Sequence, residues 1–220
     1  MPNPHVFRMK SRFPGPWQIG FGLLVLAFSA GGWWLRFSAA QAEAVPSENF
    51  FAGLADAATA QTRQAVRYDP SYVVIPYPGG DVPAETGVCS DVVVRAYRHL
   101  RTDLQERVHV DMKANFTAYP ALWGLKKTDP NIDHRRVPNL QTFFKRHGGA
   151  LAVTDRKEDY RVGDLVAWDL NGNGLWHIGI VTGEDRFVHN IGAGPEVSTG
   201  LLTWKVVGHY RWQPSSAEAP

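Results

Sequence analysis

Three side chains in this sequence are suited to nucleophilic attack with proton transfer: the single cysteine Cys89 and the histidines His177 and His189. Thiol hydrolysis needs a sulfur nucleophile, an imidazole to take and return its proton, and a polar group to orient that imidazole. An exported chain normally pairs its cysteines, so a lone one is either buried and inert or kept for its reactivity. Cys89 opens a segment, Cys89 to Leu100, in which Val92, Val93, Ala96, Tyr97 and Leu100 recur at helical spacing. Thr86 is the expected N-cap, with Pro83 as a turn residue upstream. A cysteine in a first helical turn meets unpaired N–H groups and the positive dipole end, which favour thiolate, so reaction with iodoacetamide is expected below about pH 8.5.

The histidines fall in strand-like runs, Trp176 to Thr182 (WHIGIVT) and Arg186 to Ile191 (RFVHNI). Alternation puts Trp176 and Ile178 on one face of the first run and His177 and Gly179 on the other. Gly179 leaves room for a group to approach closely. Taken alone, a strand histidine reads as a satisfied core residue. With a lone cysteine at a helix start, His177 reads instead as a general base.

The elements that position these residues form an α+β pattern, helices first and an antiparallel sheet afterwards. Ser47 is placed to cap a helix from Glu48 to Val66, ended by Tyr68-Asp69-Pro70. Ser71 to Ile75 reads as a strand and Pro76 to Pro83 as a turn-rich loop. The segment from His109 to Gly149 is the least regular, closing with a helix over Asn139 to His147 that Gly148-Gly149 ends. Further strands are expected over Val162 to Leu170 and Thr203 to Trp212. Asp169 to Gly174 fits half of a calcium loop, but Ile180 stands where the closing glutamate belongs, so it reads as a hairpin turn. Asp164, at a strand start, reads as structural.

At 220 residues with 44% apolar residues, the chain can fill one core. Its formal charge is +2, partly from Arg8, Lys10, Arg12 and Arg36 near the N-terminus, and no basic stripe suggests nucleic acid. Trp17 to Leu35 is uncharged and long enough to span a bilayer, with basic residues before it. Ala40-Gln41-Ala42 offers a cleavage site. Residues 1–42 are therefore expected to be a signal peptide or a retained inner-membrane anchor, with the body in the periplasm or cell envelope. Residues 43–68 form a linker and helix, 69–213 the main domain, and 214–220 a loose tail.

Gly87 to Tyr97 (GVCSDVVVRAY), Val162 to Val166 (VGDLV), His177 to Val181 (HIGIV) and Phe187-Val188-His189 resemble, in order and spacing, the NlpC-like cell-wall cysteine peptidases of the papain-like superfamily. More closely, Tyr68 to Trp212 resembles an uncharacterised bacterial domain family of that superfamily, partly through the DPNIDHRRVPNLQTFF stretch. The resemblance implies a nucleophile helix packed on an antiparallel sheet, with Cys89 as nucleophile, His177 as base and then acid, and His189 as the orienting third residue (Asn190 as fallback). It also implies oxyanion support from the N–H of Cys89 or Ser90, with Tyr77 near the thiol, and no cofactor. Three departures stand out: Val88 where relatives carry Asp, Asp91 where they carry Gly, and the long insertion at 109–149.

His134-Arg135-Arg136 is a compact cationic patch able to hold a substrate carboxylate, with Asp133 beside it as a further substrate-binding candidate and a loop-bracing salt-bridge cluster as the alternative. Asp129, Asp133 and His134 are also metal-capable. Trp176 is a candidate cleft wall. These features point to an extracytoplasmic hydrolase cleaving an amide bond, most readily in peptidoglycan stem peptides. The competing readings are a non-catalytic envelope module binding peptides in the same cleft, and a thiol hydrolase of another amide or ester.

Overall fold

The computed structural model describes residues 47–215. The expected N-terminal signal or anchor and the end of the tail lie outside them. Among the described residues no helix is long and apolar enough to cross a membrane. The chain runs α1 (Glu48–Gln61), β1 (Arg67–Tyr68), β2 (Thr86–Gly87), α2 (Cys89–His99), α3 (Leu104–Ala114), α4 (Val137–Arg146), β3 (Leu165–Asp169), β4 (Trp176–Gly183), β5 (Arg186–Asn190), β6 (Pro195–Thr199) and β7 (Lys205–Tyr210). The last five strands form an antiparallel sheet in the order β6-β5-β4-β3-β7, while β1 and β2 pair in parallel apart from it. Helices precede the sheet and pack on it, as the α+β reading expected.

The sheet is apolar on both faces because both are covered. Leu165, Ala167, Ile178 and Ile180 meet Leu54 and Ala58 of α1 and Val92, Val93 and Ala96 of α2. Val166, Trp168, Val181 and Phe187 form a second cluster with Tyr160 and Leu201. The expected alternation in β4 holds, since Ile178 joins the helix side and His177 contacts Trp168 on the other. Gly179 lies between that ring and β5. A methyl group there would meet the Val188 carbonyl oxygen at 2.8 Å and the Trp168 ring at 3.2 Å.

Several local expectations are corrected. Helix α1 stops at Gln61, whose Nε2 donates to the Val92 carbonyl oxygen at 3.0 Å, and Ala65 beyond it is exposed. Ser47 takes the cap position, but its side chain makes no cap. Tyr68 does not follow a helix end; it pairs with Gly87 in β1–β2. Ser71 to Ile75 is extended but forms no ladder, because side chains satisfy its backbone: Asn131 accepts from Ile75 N–H and Arg135 donates to Ser71 O. Thr86 lies in β2, and Val88 is the N-cap of α2. The sequence reading missed α3 and β6. Asp103 caps α3 by accepting from Gln105 N–H.

Asp164 is structural, as expected: it accepts from Arg161 N–H at 2.8 Å and contacts His209 and Arg211, each at 2.7 Å. Arg211 also reaches Glu48, tying the first turn of α1 to the chain after β7. The Asp169 carboxylate accepts from Gly172 and Gly174 N–H, closing the expected hairpin turn.

Gly179→Ala is expected to destabilise the fold by about 1–3 kcal/mol, the cost of overpacking a filled site, read from the midpoint and slope of urea denaturation.

Candidate active site

Cys89 is the first residue of α2, and three elements fix that helix start. The backbone at Val88 is extended, and a valine side chain cannot cap. Asp91 takes over by accepting from Val88 N–H at 2.7 Å, which is half of a capping box. Its carboxylate also receives Arg135 Nε at 2.9 Å and Nη2 at 3.0 Å, with both side chains almost fully buried. Ser90 Oγ donates to the Arg135 carbonyl oxygen at 2.7 Å. From the sheet, Asn190 Nδ2 donates to the Gly87 carbonyl oxygen at 3.1 Å.

The β4–β5 ladder leaves an opening for the thiol. Val181 exchanges hydrogen bonds with the Gly163–Asp164 segment, so alternation turns the N–H groups of Ile180 and Ile178 toward β5. The register ends at Ile180 opposite Val188, and Ile178 N–H instead points at the Cys89 sulfur. The N–H groups of Cys89 and Ser90, which have no acceptor within the helix, also face the sulfur.

His177 and His189 meet directly, with Nε2 of the first 2.7 Å from Nδ1 of the second. His189 Nε2 lies 2.9 Å from Ser198 Oγ and 3.6 Å from Glu196 Oε1, both on β6. Rings of Trp168, Phe187 and Trp204 surround the pair. No hydrogen bond joins the thiol to His177; the sulfur rests on the N–H of the next residue. His189, rather than the fallback Asn190, contacts the His177 ring, and Asn190 holds the chain ahead of Cys89.

Burial sets the charges. It pushes the Cys89 thiol up to about 11, outweighing the N–H groups of Ile178, Ser90 and Cys89, while Asp91 raises it further. The expected thiolate is therefore corrected to a protonated thiol. A helix N-terminus contributes about 0.3–1 kcal/mol at a surface site, too little to offset complete desolvation. Burial also lowers His177 to about 3, with His189 adding to the effect, and lowers His189 to about 4. At neutral pH all three groups are uncharged.

Cys89 contributes to the lining of a cleft of about 450 Å³, together with Tyr68, Tyr72, Trp123, Arg136 and Trp176. Trp176 thus stands where the sequence reading put it. The expected cationic patch is divided. Arg135 is committed to Asp91. His134 is buried, its Nδ1 has no hydrogen-bond partner, and burial lowers it to about 4. Asp133 is buried and accepts from Asp129 N–H. Among the described residues lining the cleft, Arg136 alone is a cation with no hydrogen bond to an acid, and its guanidinium lies 4.3 Å from the Trp123 ring. Among the described residues, no three of His, Cys, Asp and Glu are grouped to hold a metal.

Tyr77 is not brought to the thiol; it packs edge-on against His109 in its loop. Tyr68 takes that place. Its hydroxyl is held above its ordinary pKa by burial first, and then by the proximity of Cys89 and Asp91. The sequence reading missed it by treating Tyr68-Asp69-Pro70 as a helix stop. It also missed Ser198 and Glu196, although P-E-V-S-T places them two apart, on one face of a strand.

The family model described as a domain of unknown function, DUF1287, matches residues 55–212. The chain belongs to this family. A curated relative, the uncharacterized protein YijF of Escherichia coli (strain K12), is 51% identical over 165 residues, covering 72% of this chain and 80% of YijF. Among solved structures, NlpC1 from Trichomonas vaginalis is 15% identical with a TM-score of 0.44, and NlpC2 is 13% identical with 0.41. Each match covers 77% of this chain, which spans 46% and 49% of those two chains. These likenesses are distant.

Two measurements check the charge assignments. Alkylation of Cys89 by iodoacetamide is expected to be slow at pH 7.5 and to accelerate up to about pH 11. The histidines stay neutral in the fold but take up protons when unfolded below pH 6.5. Stability is therefore full above pH 6.5 and is lost as pH falls toward 4, read as a dropping urea midpoint that His177→Gln makes less steep.

Proposed function

We propose that this DUF1287 chain is an extracytoplasmic cysteine hydrolase that cleaves an amide bond, with peptidoglycan stem peptides as its substrate. The observation that carries this reading is the 2.7 Å contact between His177 and His189, set beside a thiol lying on the N–H of Ile178. The motif resemblance to cell-wall cysteine peptidases supports the choice of substrate. The unpaired Arg136 on the cleft wall supports it too, since it suits a carboxylate. The uncharged stretch at residues 17–35 supports export to the periplasm or cell envelope, with the inner membrane as partner where it is retained.

Neutral His177 has a lone pair to receive the thiol proton while sulfur attacks the carbonyl carbon. The N–H groups of Cys89 and Ser90, joined by the Tyr68 hydroxyl, meet the oxygen that gains charge. His177 then returns the proton to the leaving amine, and a thioester remains on Cys89. Water, deprotonated by His177, then attacks the thioester carbonyl; the C–S bond breaks, the acid leaves, and His177 returns the proton to the Cys89 sulfur.

The protonated, buried thiol favours a second reading, in which the same cleft binds a cell-wall peptide without cutting it. Incubation with muropeptides and mass spectrometry separates the two. Cys89→Ala and His177→Ala are each expected to abolish cleavage that the wild type performs. Cleavage by Cys89→Ala at the wild-type rate would overturn the hydrolase, and tight binding without turnover by the wild type would establish the binding module.

A further inference from the structure

The two histidines form a hydrogen-bonded chain that can run in either direction. A neutral imidazole has one N–H and one lone pair. In the 2.7 Å contact, either His177 Nε2 donates to His189 Nδ1 or the reverse. In the first case His177 keeps a lone pair on Nδ1. In the second, Nδ1 carries the proton and His177 is no base.

The far end of the chain decides. His189 Nε2 faces Ser198 Oγ at 2.9 Å and Glu196 Oε1 at 3.6 Å. The sheet register sets Glu196 directly opposite His189, and Ser198 is two residues along, on the same face. A carboxylate can only accept, and a hydroxyl can rotate to accept. Aromatic rings of Phe187 and Trp204 make up much of the rest of the His189 surroundings. With the proton on His189 Nε2, its Nδ1 must accept from His177 Nε2, which leaves His177 Nδ1 open. Nδ1 is the ring nitrogen nearer the main chain, and the thiol lies at the main-chain N–H of the following residue.

We propose that Glu196 and Ser198 are positioning residues that fix the tautomers of both histidines, so that His177 presents its Nδ1 lone pair to Cys89. The catalytic consequence rests on the hydrolase reading, whereas the tautomers do not. Neither residue is fully buried, so replacing them leaves the core intact.

Long-range 1H–15N spectra of protein labelled at histidine, recorded at pH 7, test this directly. The wild type and Ser198→Thr are expected to show His177 and His189 both as Nε2–H tautomers. The double variant Glu196→Gln with Ser198→Ala is expected to lose that preference at both rings together. On muropeptides its kcat should fall about tenfold or more with KM within about twofold, the pattern of a misdirected base. An Nδ1–H tautomer at either ring in the wild type, or unchanged tautomers in the double variant, would overturn the proposal. Cleavage that survives Cys89→Ala counts against the hydrolase alone and leaves the tautomer assignment standing.

Discussion

The ion pair between Asp91 and Arg135 is the contact on which the site depends. It joins the first turn of α2, which carries Cys89, to the segment between α3 and α4, which walls the cleft. One carboxylate meets two guanidinium nitrogens and also accepts Val88 N–H. Buried pairs of this kind contribute little net stability, because desolvation offsets their attraction, yet removing one partner costs about 3–5 kcal/mol. Their value is geometric. Arg135 can satisfy Asp91 in this arrangement only when the insertion lies over the helix start, so Cys89 and the cleft wall are set in register by the same contact.

That contact also ties together the three departures from the cell-wall peptidase pattern that the sequence resembles. Asp91 is needed because Val88 offers no capping oxygen. The helix end then recruits an acid from its own third residue. An isolated carboxylate so close to the sulfur would strongly oppose thiolate formation, and Arg135 balances it. The remaining influence of Asp91 on the thiol is smaller than that of burial, which comes first. The long insertion supplies the arginine, so all three departures belong to one structural solution.

The residues of the site were legible where local pattern and function coincide. Cys89 at a helix start, His177 with Gly179 beside it, and the hairpin at Asp169 each follow from periodicity or turn chemistry within a few residues. What was not legible depends on distant partners. Ser71 to Ile75 has strand composition, but its backbone is satisfied by Asn131 and Arg135, over fifty residues away. Tyr68 reaches the site through a two-residue parallel pairing that leaves no periodic signature. Arg135 and Arg136 are adjacent in sequence and opposite in fate, one locked to Asp91 and one stacked on Trp123. The thiol pKa follows the same rule: the helix dipole is visible in sequence, whereas burial is a property of the assembled core.

Uncharged groups at rest shape the chemistry available here. A preformed thiolate–imidazolium pair would place a cation among Trp168, Phe187 and Trp204 and an anion on a buried sulfur, where desolvation opposes both. Keeping sulfur and both rings neutral avoids that cost and defers charge separation to the moment of attack. In the proposed hydrolysis the substrate carbonyl oxygen then gains the charge, next to the N–H groups of Cys89 and Ser90. A neutral base with a low intrinsic pKa holds a proton weakly, which slows capture from the thiol but speeds its delivery to a leaving amine. Such a site suits a reaction whose difficult step is expulsion of the amine, which is the demand an amide makes more strongly than an ester.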